Sequence, residues 1–324
     1  MAAQGSPNSR CGARLVVNVL STGHVATDHR LFDKEGRSLA RAGVVVRIFA
    51  AHPRHEFCDG VELIPLPRAG GRLGRFLVAP WRAWLAARRR PATIVHIHDA
   101  ELLMMCPVLK LFGRPVIVYD VHEDFANLML RREWLPAIVR RVVGAGLHAA
   151  EALLCRSVDG IIGVTRTLAD KFPHRHRTAL YNLPSRQFVL RAGEGASPPS
   201  RRPIDVVHLG TLSDERMEFL AETMRALLRR RPGTRFRIVG PLAGQVEWLR
   251  SRFDGGVAEV RGKVPYDEVP TLLRECKLGL NVHPVLYPHL RVAVPVKVLE
   301  YMACGCGVVT SWLPELDALL HEET

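Results

Sequence analysis

Short apolar runs alternate with helical stretches along the whole chain, and this alternation limits the fold more than any other feature. Runs at 15–20, 44–49, 61–65, 94–97, 116–119, 160–164 and 178–181 are rich in Val, Ile and Leu. That composition suits parallel strands covered on both faces. Helical patterns fall between most of them, as at 31–42 and 136–154, and Gly43 stops the former. A second set follows at 204–209, 235–239, 258–260, 278–282 and 308–310, with helices around 218–230, 246–253, 266–275 and 296–304. The pattern predicts α/β architecture with two doubly wound, Rossmann-like sheets. A polar stretch at 191–203, rich in Gly, Ser and Pro, reads as the end of a connection. The expected division is therefore a domain at 1–184, a linker at 185–203 and a second domain at 204–324. The 324 residues are enough for two ordinary domains.

Bulk properties narrow the partners. The formal net charge is +13, which suits nucleic acid, an anionic membrane or a phosphorylated substrate, and equally a solvated arginine-rich surface. The sharpest basic stretch is residues 72–90, from Arg72 to Arg90, where arginines alternate with Phe76, Leu77, Trp81, Trp84 and Leu85. It reads as a basic amphipathic helix broken at Pro80, able to lie in a lipid headgroup layer. It reads equally as a crossover helix packing its tryptophans on a sheet. No apolar run approaches the ~20 residues of a spanning helix, and the first residues read as a strand rather than a signal peptide. Seven scattered cysteines without C-x-x-C spacing fit free thiols in a reducing cytoplasm.

The segment VPVKVLEYMACGCGVVTS, residues 294–311, reads as a short helix, a glycine stop at Gly305 and a buried strand. Lys297 and Glu300 are three apart and share a helix face. A carboxylate there can accept hydrogen bonds from both hydroxyls of a ribose, and a lysine near the helix start suits a diphosphate. An ordinary surface ion pair has the same spacing. Pro295, Lys297, Glu300, Tyr301, Met302, Ala303, Gly305, Val308 and Val309 resemble the donor-site signature of family 4 glycosyltransferases, which have the GT-B fold of two Rossmann-like domains facing a cleft. Gly307 replaces the usual proline, and Val292 stands where many relatives carry a further glutamate.

Further segments resemble that family in the same order. Asp28, Arg30, Leu31 and Phe32 match a D-x-R-[IL]-F loop after the first strand, an acceptor-side position by resemblance; Asp28 is also a plain helix N-cap. YDVHEDF, residues 119–125, resembles a D-x-H-E pattern. The resemblance makes His122 the residue that orients the sugar, with Glu123 and Asp124 beside it, and Asp99 and Glu101 acceptor-side candidates; Asp99 and Glu123 join His122 in the expected catalytic set. A histidine tied to a backbone carbonyl at a strand end is the plain alternative. In HLGTLSDERME, residues 208–218, Gly210 and Leu212 match the family's diphosphate loop and Arg216 takes one of its basic positions, while Thr211 stands at the other. A helix beginning near Asp214 would aim its positive end at phosphate. Gly240, at the end of RIVGP, matches a loop near the nucleotide base, and 260–273 resembles another base-side segment. The chain ends soon after residue 310, so the resemblance implies a second domain that is incomplete.

The resemblance implies a metal-independent, cytoplasmic glycosyltransferase without a cofactor. It would move a sugar from a nucleotide-diphosphate sugar to a hydroxyl of a carbohydrate or lipid-linked acceptor, with retention, in polysaccharide or glycolipid synthesis. Peripheral placement on the inner face of the membrane is a further expectation. Three other readings stand beside it: a nucleotide-sugar epimerase of the same fold, a metal-dependent hydrolase using His96, His98, Asp120 and His122, and a basic module binding nucleic acid or membrane.

Overall fold

Nearly every run singled out in the sequence is a strand in the computed structural model, which describes residues 14–68, 70–111, 115–131, 136–195, 197–253, 255–285 and 287–322. The first sheet holds β1 (Val16–Val25), β2 (Val45–Ala51), β3 (Glu56–Cys58), β4 (Val61–Pro65), β5 (Ile94–Ile97), β6 (Val116–Val121), β7 (Gly160–Gly163) and β8 (Arg177–Ala179). Their order is β3-β4-β2-β1-β5-β6-β7-β8. β4, β2, β1, β5, β6 and β7 pair in parallel. The second sheet holds β9 (Ile204–Leu209), β10 (Phe236–Val239), β11 (Ala258–Arg261), β12 (Cys276–Asn281) and β13 (Gly307–Thr310). It is parallel throughout, in the order β11-β10-β9-β12-β13. By contacts the chain divides into one compact unit of residues 1–122, 146–163 and 169–178, and another of 123–145, 164–168 and 179–324.

Strand alternation sorts the cores. In the first unit Val17 and Val19 face Leu31, Phe32, Val46 and Ile48. In the second, Val207, Leu209 and Val239 look to one side of the sheet and Val206, Ile238 and Val260 to the other. Both faces are apolar because parallel strands are covered on both.

Three local expectations need correction. The helix expected at 31–42 begins instead at His29. It is π-helical over His29–Gly36 and α-helical only over Arg37–Arg41. Asp28 starts it by accepting hydrogen bonds from the backbone N–H of Arg30 and Leu31. The basic segment breaks at Val78, between helices Gly71–Leu77 and Ala79–Arg88. Pro80 lies in the first turn of the second helix, where its missing N–H costs nothing. β3 was not expected at all; it pairs antiparallel with β4 through the two-residue turn Asp59–Gly60, both at positive φ (48° and 84°). Residues Arg186–Gly193 form a helix that buries Phe188 and Ala192 in the second unit's core.

Candidate functional site

The carboxyl ends of β1, β5 and β6 in the first unit carry a buried cluster of charges. The Arg30 guanidinium forks onto Asp120, with Nη2 2.8 Å and Nε 3.2 Å from Oδ2, and Nε also lies 2.9 Å from Glu35 Oε1. Arg30, Glu35, His96, His98 and Asp120 are all buried. His96 and Asp120 share one sheet face because β5 and β6 pair His96 with Val118, two residues before Asp120.

Two carboxylates so close cannot both stay ionised. Burial and the charge of Asp120 push Glu35 up to about 8, against the pull of His96 and Arg30. Asp120 is held well below the carboxylate range: burial would raise it, but hydrogen bonding to His96 and the positive charge around it win. His96 is raised, because its contacts with Asp120 and Glu35 outweigh burial. His98 is lowered by burial and by His96. His122 is lowered to about 4 by burial, with Asp120 opposing and Arg30 adding to the shift. Its Nε2 lies 2.6 Å from His98 Nδ1, so one of these neutral rings donates and the other accepts.

Asp99 is buried, and Oδ2 accepts from Ser21 Oγ (2.7 Å), Thr22 N (2.8 Å) and Gly23 N (3.1 Å). Glu101 accepts from Thr22 Oγ1 (2.8 Å) and Arg75 Nε (2.5 Å). A Cβ on Gly23 would stand 2.5 Å from Asp99 Oδ1, so any other residue would have to push that carboxylate aside. These two carboxylates shape the irregular end of β1, where its pairing with β2 shifts register between Leu20 and Val25. Asp28, beside it, is held at about 2: burial would raise it, but His24 and two backbone N–H groups lower it. Glu123 is exposed. Glu35, His96, His98 and Asp120 offer four ligand atoms within 4.8 Å of one another, a chemically reasonable donor set for a divalent cation. Arg30 already sits on both carboxylates, so a second cation would meet its charge; the set fits an internal ion-pair network better than a metal.

The second unit has a different site where β9, β10 and the helix Val296–Ala303 meet. Gly210 and Gly240 have φ of 99° and 106°. A Cβ on Gly240 would come 2.9 Å from Gly210 Cα, so two strand-end loops touch backbone to backbone. Lys297 Nζ lies over this junction, 3.2 Å from where a Cβ on Gly210 would be. Burial and the charge of Arg216 lower Lys297 to about 7, against the pull of Glu300. His208, buried with Nδ1 3.1 Å from Leu280 O, is lowered by burial and then by Lys297 and Arg216. Arg216 sits in the first turn of the 17-residue helix Asp214–Arg230, so its charge adds to the positive helix end. Glu300 is buried and accepts from Tyr266 OH at 2.7 Å.

Tyr301 locks this arrangement. Its OH accepts from Leu209 N at 2.8 Å and donates to Leu280 O at 3.4 Å. Its ring lies where a Cβ on Gly279 would come within 2.2 Å. Gly305, at φ 66°, ends the helix, and Cys306 N returns to Tyr301 O at 2.9 Å. The structure thus gathers Gly210, Arg216, Gly240, Lys297 and Glu300 in one place, and separately Arg30 with His122 beside Asp28. Sequence reasoning passed over Glu35, Tyr266 and the tie made by Tyr301; only Tyr301 carried a signal, its place in the E-Y-M-A run.

Comparison with known proteins bears on the fold and the family. A family model described as Glycosyltransferase Family 4 matches residues 25–180, and one described as Glycosyl transferase-like matches 216–324. Sucrose-phosphate synthase from Thermosynechococcus elongatus superposes with a TM-score of 0.67 at 15% identity, covering 94% of this chain and 83% of that one. HepE of Anabaena, in complex with UDP and glucose, gives 0.59 at 17% identity, covering 94% and 82%. The catalytic domain of starch synthase IV from Arabidopsis thaliana, bound to ADP and acarbose, gives 0.58 at 13%, covering 94% and 84%. At such identities these neighbours establish the fold. Two curated proteins, both ATP-dependent (S)-NAD(P)H-hydrate dehydratases, show local similarity. The one from Pongo abelii is 30% identical over 102 residues (30% of each chain), and the one from Bos taurus is 26% identical over 142 residues (38% of this chain, 42% of that one). The chain spans less than half the length of these curated relatives. The two family models, each matching less than half of the chain, and the two largely parallel sheets together support a family 4-like glycosyltransferase with the GT-B fold.

Proposed function

We propose that the chain transfers a sugar from a nucleotide-diphosphate sugar to a hydroxyl acceptor. The observation that carries this reading is the meeting of Lys297, Arg216 and a long helix's positive end at the Gly210–Gly240 junction, with the Glu300 carboxylate on the same helix as Lys297. Backbone without side chains lets a diphosphate approach closely. The two cations and the helix end stabilise the charge that grows on the leaving diphosphate. Glu300, fixed by Tyr266, accepts from the two ribose hydroxyls. Gly240 lies toward the base.

The acceptor side is assigned to the first unit. His122, neutral near pH 7, orients the transferred sugar through a hydroxyl, with Arg30 holding Asp120 behind it. Asp28 and Asp99 shape the end of β1 and the helix start after it rather than touch the reacting atoms; Glu123 is a weaker candidate for contact. Functionally the division follows 1–184, a connection at 185–203, and 204–324. Hexosyl transfer with retention, in polysaccharide or glycolipid synthesis within the cytoplasm, completes the reading. No step calls on a metal.

HepE was solved in complex with UDP and glucose, and starch synthase IV bound to ADP and acarbose, so UDP- and ADP-glucose head the list of donors to try. A thermal-shift screen of UDP-, GDP- and ADP-sugars tests the proposal. A stabilising donor whose effect disappears in Glu300→Ala supports it. A shift unchanged by that substitution removes the donor-site assignment. Turnover that stops with EDTA and returns with a divalent ion would overturn metal independence.

A further inference from the structure

Two helical layers cover the first sheet, and their outer surfaces differ. Leu20 pairs with Ile97 and Ile97 with Tyr119, and Asn18 lies two residues before Leu20, so Asn18 and Tyr119 share one sheet face. Asn18 Nδ2 donates to Arg90 O just after the helix Ala79–Arg88. Tyr119 OH donates to Glu151 on the helix Ala137–Leu154. Both helices therefore cover that face. The opposite face is covered by His29–Gly36 and Arg37–Arg41, reached through Arg30 and Asp120. Between Val25 and Phe57, on that opposite layer, no large apolar side chain is exposed.

The Ala79–Arg88 helix is inside out for a core helix. It turns its small residues, Ala79, Pro80, Ala83 and Ala87, to the sheet. Two of its three large apolar residues, Trp81 (48% exposed) and Leu85 (46%), face solvent, together with Phe76 and Leu77 from the helix before it, while Trp84 is half-buried. Packing tryptophans on the sheet, one of the two sequence readings, is thus not what Trp81 does. Leu147 and Leu153 (60%) are exposed on the Ala137–Leu154 helix of the same layer, with Ala149 and Ala150 exposed between them.

Charge selects the occupant. Residues 63–98 contain seven arginines and no Asp or Glu, although Arg75 is paired with Asp99 and Glu101 and Arg90 with Glu62. Arg82 and Arg89 are exposed and make no ion pair among the described residues. Arg82 also lines a hollow with Arg68, Ser21 and Thr22 at the end of β1, so the basic edge opens beside the acceptor-side residues. We infer that this helical layer is a docking face for an anionic lipid bilayer. Trp81, Leu85, Phe76 and Leu77 enter the headgroup region while Arg82 and Arg89 meet lipid phosphates. No helix among the described residues is long and apolar enough to cross a membrane, so attachment through this face is peripheral. The inference deepens the proposed function by naming the surface the chain works on, but it rests on the first unit alone.

Co-sedimentation of the full chain with vesicles tests it. Binding is expected to vesicles of phosphatidylcholine mixed with phosphatidylglycerol, and to weaken with salt. The pair Trp81→Glu and Leu85→Glu, and separately the pair Arg82→Gln and Arg89→Gln, should each weaken binding roughly tenfold or more. Arg41→Glu, on the opposite layer, should leave binding unchanged. The arginine pair keeps the test decisive if the apolar pair fails to fold. Overturning results are absence of vesicle binding, equal binding to phosphatidylcholine alone, or binding untouched by the arginine pair. Self-association in sedimentation velocity that is lost in the Trp81/Leu85 pair, without vesicle binding, would assign the face to a second copy instead. Donor-induced thermal shift should persist in both pairs, so failure here and failure of the donor assignment are told apart.

Discussion

The buried cluster of the first unit and the Gly210–Lys297 junction of the second are both built from charged side chains at the ends of parallel strands, yet they handle charge in opposite ways. Around Asp120 the charges are closed on themselves: Arg30 is forked onto one carboxylate and touches the other, and Glu35 keeps its proton. At the junction basic groups are left close together: burial and then the charge of Arg216 lower Lys297 to about 7, against the pull of Glu300. A closed network spends its charge on holding strands in place. A lysine held this close to neutrality regains its charge when an anion arrives. The comparison separates structural polarity from binding polarity, and substitutions should separate them too.

Removing charge from the closed cluster should cost most. Arg30→Met leaves Asp120 buried without its guanidinium and should lower stability by ~3–5 kcal/mol, measured by urea unfolding; a loss under about 1 kcal/mol would show that the network is not the internal brace described here. At the open site the effect should move from fold to ligand. Lys297→Ala should reduce kcat/KM by roughly 100- to 1,000-fold while changing stability by less than about 1 kcal/mol. A large stability loss with activity kept would reverse the assignment. Tyr301→Phe comes next: it strips Leu209 N of its partner and should cost ~1–3 kcal/mol, read as a lower Tm.

The pH dependences are smaller and opposed. His122 titrates near 4 when folded and 6.5 when unfolded, so the folded state binds fewer protons between these values. Its contribution is present above 6.5 and is lost as pH falls through about 4. Glu35 is raised from 4.5 to about 8; its contribution is full below 4.5 and is lost as pH rises through about 8. Stability of the first unit should therefore pass through a maximum between these limits, and Glu35→Gln should flatten the alkaline side only. Donor affinity should fall as pH rises through about 7, where free Lys297 loses its proton. That slope should be absent in Lys297→Ala.

Much of this was legible because it is local. Short continuous apolar runs placed nearly all the strands, and the 294–311 segment placed Lys297, Glu300 and the stop at Gly305. What was missed is mostly long-range. Glu35 meets Asp120 across 85 positions of sequence, and no spacing rule connects them. Tyr301 reaches Leu209 in the same way, from 92 residues away. β3 is the exception: Asp59–Gly60 before the apolar run of β4 is a two-residue hairpin signal, and the shortness of Glu56–Cys58 concealed it. The inverted helix Ala79–Arg88 was ambiguous for a physical reason. Its composition fits a core or a headgroup layer, and only the side facing the sheet decides.

The most direct test is a crystal structure with a nucleoside diphosphate soaked in. The account expects the diphosphate within hydrogen-bonding distance of Lys297 Nζ and Arg216, lying over Gly210, with the ribose hydroxyls on Glu300. Density elsewhere in the molecule, or a site that stays empty under a saturating ligand, would contradict it.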